Sequence, residues 1–223
     1  MQELSAKYFF NLDGFDHQDL IDLEKVAWDP LLHLKDYFQT QTLGNIEIDI
    51  PLGVHLVNPS KISIAKGCVI EPGAYIEGPV ILGEGTTIRH GAYIRGYVLT
   101  GKGCVIGHAT EVKHSILLNH ARAAHFNYVG DSILGNDVNL GAGVKIANSR
   151  LDKEAITFLY EQKKISTHLR KFGAIIGDHT QIGCNAVTTP GTLIGKHSFC
   201  YPCEVIQGVL KEKTRYQTRQ PKD

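Results

Sequence analysis

The sequence predicts an all-β chain wound as a parallel β-helix, and three observations carry that prediction. Ten positions spaced six apart, Ile64, Ile70, Ile76, Leu82, Ile88, Ile94, Thr100, Ile106, Val112 and Leu118, hold an aliphatic side chain nine times in ten. Two residues before most of them lies a small or β-branched residue (Ala74, Val80, Thr86, Ala92, Val98, Cys104, Thr110), and Gly83, Gly101 and Gly107 follow three of them. A period of six is neither the two of a free strand nor the 3.6 of a helix, so the unit is a short strand plus a turn, repeated along an axis. Three units close a triangular coil of 18 residues, and successive coils stack as parallel strands roughly 4.8 Å apart. One coil buries little; the stack makes the core.

The phase of the repeat locates the remaining elements. It breaks near Ala123, resumes at Tyr128, Leu134, Leu140 and Ile146, and resumes again at Ile176, Ile182, Thr188, Ile194, Cys200 and Ile206. Excursions from the prism are therefore expected at 119–127 and 149–172, the second alternating like a β-hairpin. A prism of about six coils, roughly 30 Å long, is expected over residues 46–210. Residues 1–45 follow another pattern. Asp16 can cap a helix carrying Leu20, Leu23 and Val26, and Asp29 with Pro30 can start another carrying Leu31, Leu34 and Phe38. Two short helices are expected to cap the first coil, whose strand edges would otherwise stand unpaired. Residues 211–223 are polar and basic, a tail expected to order only against a ligand or neighbour.

Composition narrows the partners. Among 223 residues, 23 Lys and Arg balance 23 Asp and Glu, which gives no electrostatic reason to expect nucleic acid or an anionic membrane. The opening residues lack the apolar run of a signal peptide and no stretch approaches 18 apolar residues, so a cytoplasmic protein is expected. Of five cysteines, Cys68 and Cys104 fall on small inward positions and are expected to be buried filler. Cys200 and Cys203 form a lone C-x-x-C without the second pair a zinc site needs.

Chemistry is expected where polar residues repeat in register. Arg95 and Lys113 are 18 residues apart and each follows an inward aliphatic residue, so they should stand on one edge of adjacent coils. Cations so placed repel unless an anion sits between them, and phosphate suits both heads; two solvated surface cations are the alternative. His108, His114, His120 and His125 crowd the next stretch. His125 can be a base that accepts a proton from an attacking amine, a metal ligand with His120, or a partly buried edge residue.

The stretch from Gly78 to Asn148, with "IRGYV", "IGHATEVK", "AHFNYVGDSILGNDVNLGAG" and "KIAN", resembles the acetyltransferase domain of bifunctional N-acetylglucosamine-1-phosphate uridyltransferase/glucosamine-1-phosphate acetyltransferases. It is similar also to archaeal sugar-1-phosphate nucleotidyltransferases with the same C-terminal β-helix. The resemblance implies a left-handed parallel β-helix and N-acetylation of an amino-sugar 1-phosphate by acetyl-CoA. It implies His125 as general base, Arg95 and Lys113 on the sugar phosphate, and Tyr128 reaching phosphate or sugar. It implies that Asn139 positions the sugar and that Asn148 binds substrate or orients the base. Acetyl-CoA would run between subunits of a homotrimer past Ala142 and Cys184, with Arg219 on the cofactor phosphates, a role Lys211, Lys213 or Arg215 could fill. No metal is expected. The spacing of His120 and His125 also occurs in γ-class carbonic anhydrases, so a zinc enzyme stays a minor alternative, beside a non-catalytic sugar-phosphate-binding trimer.

The departures concern substrate choice. Where the family continues after Asn148 with Tyr and then a substrate-binding Lys, this chain has Ser149 and Glu154. Lys163, Lys164, Arg170 and Lys171 in the longer 149–172 segment are candidate phosphate contacts. No Gly-rich phosphate loop follows an early strand, so no nucleotidyl transfer is expected.

Overall fold

A computed structural model describes residues 2–218. The chain winds as a left-handed β-helix in which three eight-stranded parallel sheets form the faces of a triangular prism. The prism is taller than the six coils expected: eight coils are complete, and Ile46 opens one more by bridging to Ile64. Within each coil the chain crosses a first face (Tyr93–Arg95, Glu111–Lys113, Tyr128–Gly130), a second (Val98–Thr100, Ser115–Leu117, Ile133–Leu134) and a third (Val105–His108, Arg122–His125, Asn139–Leu140). Inward aliphatic residues stack into one core running from Ile62 to Ile206.

The excursion expected at 119–127 does not exist. Leu117, not Leu118, aligns with Thr100, and Ala123 aligns with Ile106, so the chain stays on the prism by shortening its corners. The coil from Ile106 to Ala123 and the next, from Ala123 to Leu140, each have 17 residues in place of 18. Val129 thereby takes the inward position assigned to Tyr128, whose ring turns outward. Gly107 allows the tight fit, since a side chain there would run into the backbone of Ala124 in the next coil. Leu118 is buried all the same, against the outside of the second face.

That outside is a second core. Strands of the first face alternate, as in Tyr93-Ile94-Arg95, whereas those of the second are mostly apolar and can be buried at every position, as in Val98-Leu99-Thr100 and Ala174-Ile175-Ile176. A sheet covered on both sides reads as a continuous apolar run. Leu99, Ile116, Ile133, Ile175 and Leu193 pack against Phe9, Phe10, Trp28, Leu31, Leu34 and Phe38. The N-terminal segment therefore lies along a face instead of over the first coil. The helix Asp29–Thr40 forms where Pro30 and the Leu31, Leu34, Phe38 spacing place it. The helix expected after Asp16 is reduced to a 3-10 turn, Gln18–Leu20. The carbonyls of Leu23 and Lys25 instead accept hydrogen bonds from the N–H groups of Lys7 and Ala6 (3.0 and 2.8 Å), which holds that stretch out of helix. Asp16 pairs with Lys102 at 2.9 Å. Asp178, buried at this junction, accepts hydrogen bonds from the backbone N–H groups of Asn11 (2.7 Å) and Asn136 (2.8 Å).

Residues 147–173 leave the corner between the first and second faces. They carry the antiparallel pair Thr157–Tyr160 and Lys163–Ser166. This hairpin docks on the N-terminal segment: Phe158 meets Trp28 edge-on at 5.5 Å, and the Tyr160 hydroxyl donates to Glu3 at 2.7 Å. At the far end Arg215–Tyr216 pairs with Phe199–Cys200, so part of the expected tail belongs to the last coil. Cys68 and Cys104 are buried filler, and burial pushes the Cys104 thiol up to about 12. Cys200 points into the core while Cys203 is exposed at a corner.

The double-sided second face gives a stability prediction. Ile116→Ala should lower the unfolding free energy by about 2–4 kcal/mol in a denaturant titration. Val69→Ala, at a half-exposed site on the third face, should change it by less than ~1 kcal/mol.

Candidate functional site

Two edges of the first face carry the chemistry. Along the edge toward the second face, consecutive coils turn through Tyr97, His114 and Asp131, each with positive φ (53, 44 and 50°). Arg95 and Lys113 immediately precede this edge and are neighbours in adjacent strands, as their spacing predicts. Each has a carboxylate of its own. Arg95 Nη1 donates to Glu111 Oε1 at 2.7 Å, and Lys113 Nζ pairs with Asp131 Oδ2 at 2.9 Å. The mutual repulsion that argued for a bound anion is thus offset within the protein.

Asp131 is the hub that the sequence reading passed over. Its side chain is only 7% exposed and gathers Lys113, His114 and Asn148. His114 Nδ1 lies 3.2 Å from Oδ1, within ion-pair reach though too oblique for a hydrogen bond. Asn148 Nδ2 donates to Oδ2 at 2.5 Å and to the Tyr128 hydroxyl at 3.2 Å. Gly130 leaves the room for this, since a Cβ there would lie 2.7 Å from Asn148 Nδ2. Burial alone would raise the Asp131 carboxyl, but His114 and Lys113 outweigh it and hold the group below the usual carboxylate value. Burial likewise pushes the Tyr128 hydroxyl up, against the bond from Asn148.

Beside this network opens a cavity of about 400 Å³, lined by Arg95, Lys113, His114 and Asp131 from the prism, Lys35 from the N-terminal helix, and Leu169 and Lys171 from the returning hairpin. Of the four hairpin cations picked out in the sequence, Lys171 alone lines it. Arg170 donates to the Lys153 carbonyl instead, and Lys163 and Lys164 lie in the exposed hairpin strands. Ser149 and Glu154 do not line it either.

The opposite edge carries His125, exposed and in register with His108, whose ring stacks on His90 at 5.6 Å. The Gly143 N–H donates to the His125 carbonyl and the Asn185 N–H to that of Ala142 (3.0 and 2.8 Å), so His125, Ala142 and Cys184 rise through successive coils along one edge. His120 stands at the other end of the same third-face strand, in a different corner column. Among the described residues, no three His, Cys, Asp or Glu side chains are grouped to hold a metal ion. Asn139 faces away from Arg95 and Lys113. It lies on the third face, in a groove of about 450 Å³ shared with Cys184, Phe199 and Arg215. Arg215 stands over the Phe199 ring at 5.6 Å. Arg219 lies outside the described residues.

The fold and its repeats define a hexapeptide-repeat left-handed β-helix protein. It resembles the C-terminal acetyltransferase domain of the bifunctional uridyltransferase/acetyltransferases. A family model described as the GMPPB C-terminal domain matches residues 76–169. A bifunctional sugar-1-phosphate nucleotidylyltransferase/acetyltransferase of Sulfurisphaera tokodaii is 37% identical over 84% of this chain and 44% of its own length. The bifunctional protein GlmU of Methanococcus vannielii is 37% identical over 48% of this chain and 26% of its own. The chain thus spans less than half of these relatives. Among solved structures, a UDP-N-acetylglucosamine acyltransferase of Francisella novicida overlaps 74% of this chain and 67% of its own at 13% identity and a TM-score of 0.46. No helix of the described residues is long and apolar enough to cross a membrane.

Asp131→Asn should destabilise the fold by on the order of 2 kcal/mol near neutral pH, because Lys113 loses its buried partner. A carboxyl held below its unfolded value contributes fully above that value and loses its contribution as pH falls through the folded one. Unfolding curves of the two proteins should therefore converge below about pH 4.

Proposed function

We propose that the chain transfers an acetyl group from acetyl-CoA to the amine of an amino-sugar 1-phosphate. The observation that carries this reading is the pairing of a cation-lined cavity on one edge of the first face with an exposed imidazole on the other. A three-residue strand separates the edges, roughly 7–10 Å of rise along the backbone, a gap that side chains reaching from both edges and a phosphorylated hexosamine between them can close, with the phosphate in the cavity and the amine toward His125. In this reading Arg95 and Lys113 hold the phosphate, Asn148 and Tyr128 orient the sugar, and His125 takes the proton released as the amine attacks the thioester. Bringing the two reactants together at the edge between the first and third faces, where His125 stands, replaces a bimolecular encounter. The groove past Asn139 and Cys184, with Arg215 at its rim, is the proposed course of the CoA moiety. Its open flank, and the exposed Val69, Phe199, Tyr75 and Tyr93 on the two uncovered faces, support completion of the site by neighbouring copies in a homotrimer.

Thiol release from acetyl-CoA with glucosamine 1-phosphate tests this directly. His125→Ala should lower turnover at least ~100-fold with little change in KM, and Arg95→Ala should mainly raise KM for the phosphorylated sugar. Turnover unaffected by the His125 change rejects the base assignment, and sugar-phosphate binding without any thiol release favours a binding module. Because the relatives are about twice as long or longer, the nucleotidyl half of their activity is proposed not to reside in these residues. The chain with UTP, Mg²⁺ and sugar 1-phosphate should release no pyrophosphate.

A further inference from the structure

The cavity beside Arg95 and Lys113 is not made by the prism alone. Lys35 comes from the helix Asp29–Thr40 and Lys171 from the end of the hairpin excursion, two segments outside the repeat. Both stand beside aromatic residues that are half-buried or buried. Lys35 lies 5.4 Å from the Tyr97 ring, against which Phe38 of the same helix packs edge-on at 5.8 Å. Lys171 adjoins Phe172, fully buried and packed on Trp28.

The charges of the four cations are not equivalent. Arg95 and Lys113 are each paired with a carboxylate, and His114 shares Asp131 with Lys113. Among the described residues no carboxylate pairs with Lys35 or Lys171, so the cavity mouth carries two positive charges without internal compensation. Two like charges facing one opening repel, and a dianion entering between them removes that repulsion while gaining two charge-assisted contacts. Arg95 and Lys113 attract an incoming anion less, because Glu111 and Asp131 already occupy them.

We propose that Lys35 and Lys171 are specificity residues that clamp the doubly charged phosphoryl group of the substrate, so that this chain selects a phosphomonoester over the unphosphorylated amino sugar through segments the β-helix itself does not supply. The identity of the sugar rests on the transferase reading above; the clamp rests on the placement of the two lysines.

The test uses the full chain and two readouts. Inorganic phosphate titrated calorimetrically should bind roughly tenfold more weakly to Lys35→Ala and to Lys171→Ala, and more weakly still to the double variant. Lys→Arg at either position should restore most of the affinity, and thermal unfolding midpoints should match the parent protein. In the thiol-release assay, KM for glucosamine 1-phosphate should rise in step while KM for glucosamine stays constant. Phosphate affinity unchanged in the double variant, or an equal rise in KM for both sugars, overturns the clamp. Lysine-dependent phosphate binding without acetyl transfer by any protein upholds the clamp and rejects the transferase. Acetyl transfer with lysine-independent phosphate affinity does the reverse.

Discussion

The hydrogen-bonded register between successive coils is the constraint on which the rest of this molecule depends. Each strand is only two to four residues long and has no stability of its own. It gains it from parallel neighbours above and below and from an aliphatic side chain stacked on others inside. Because the register repeats, residues one coil apart stand directly over each other. That is how Arg95 comes to lie beside Lys113, and how His90, His108 and His125 form a column. The two successive 17-residue coils keep this alignment by tightening corners, and the first carries His125, Tyr128 and Asp131 into register with the coil below. A one-residue slip would have turned these side chains inward.

The three faces are chemically unlike. The second is apolar on both sides and is covered by the N-terminal segment, so the prism has two cores sharing one sheet. The first and third alternate and stay open, one bearing the charged network around Asp131 and the other the groove past Cys184. Covering one face therefore directs ligand and partner chemistry to the other two. The covering segment and the hairpin also touch each other through Trp28, Phe158 and Phe172, which fixes where Lys35 and Lys171 stand relative to the prism.

Much of this was legible in the chain itself. The hexad fixed the fold class and, through the 18-residue spacing, the adjacency of Arg95 and Lys113. The Leu31, Leu34, Phe38 spacing after Pro30 marked the helix Asp29–Thr40. The excursion assigned to 119–127 was not there, because a missing residue in a coil and an inserted loop look alike when only the phase is followed. The unbroken apolar runs of Val80–Leu82 and Ala174–Ile176 were a visible sign of a sheet covered on both sides, which the hexad had absorbed into the inner core alone.

By itself the sequence determined the repeat, its period and the side chains each coil presents, since these follow from local periodicity and strand sterics. Tertiary structure alone decided that Asp131 gathers Lys113, His114 and Asn148, that Asn139 faces the groove and not the cations, and that Lys35 and Lys171 converge from segments far apart in the chain. Such meetings depend on which face a non-repeating segment covers and on how far a corner is tightened. Both are set by packing between residues far apart in sequence, where no period exists to be read.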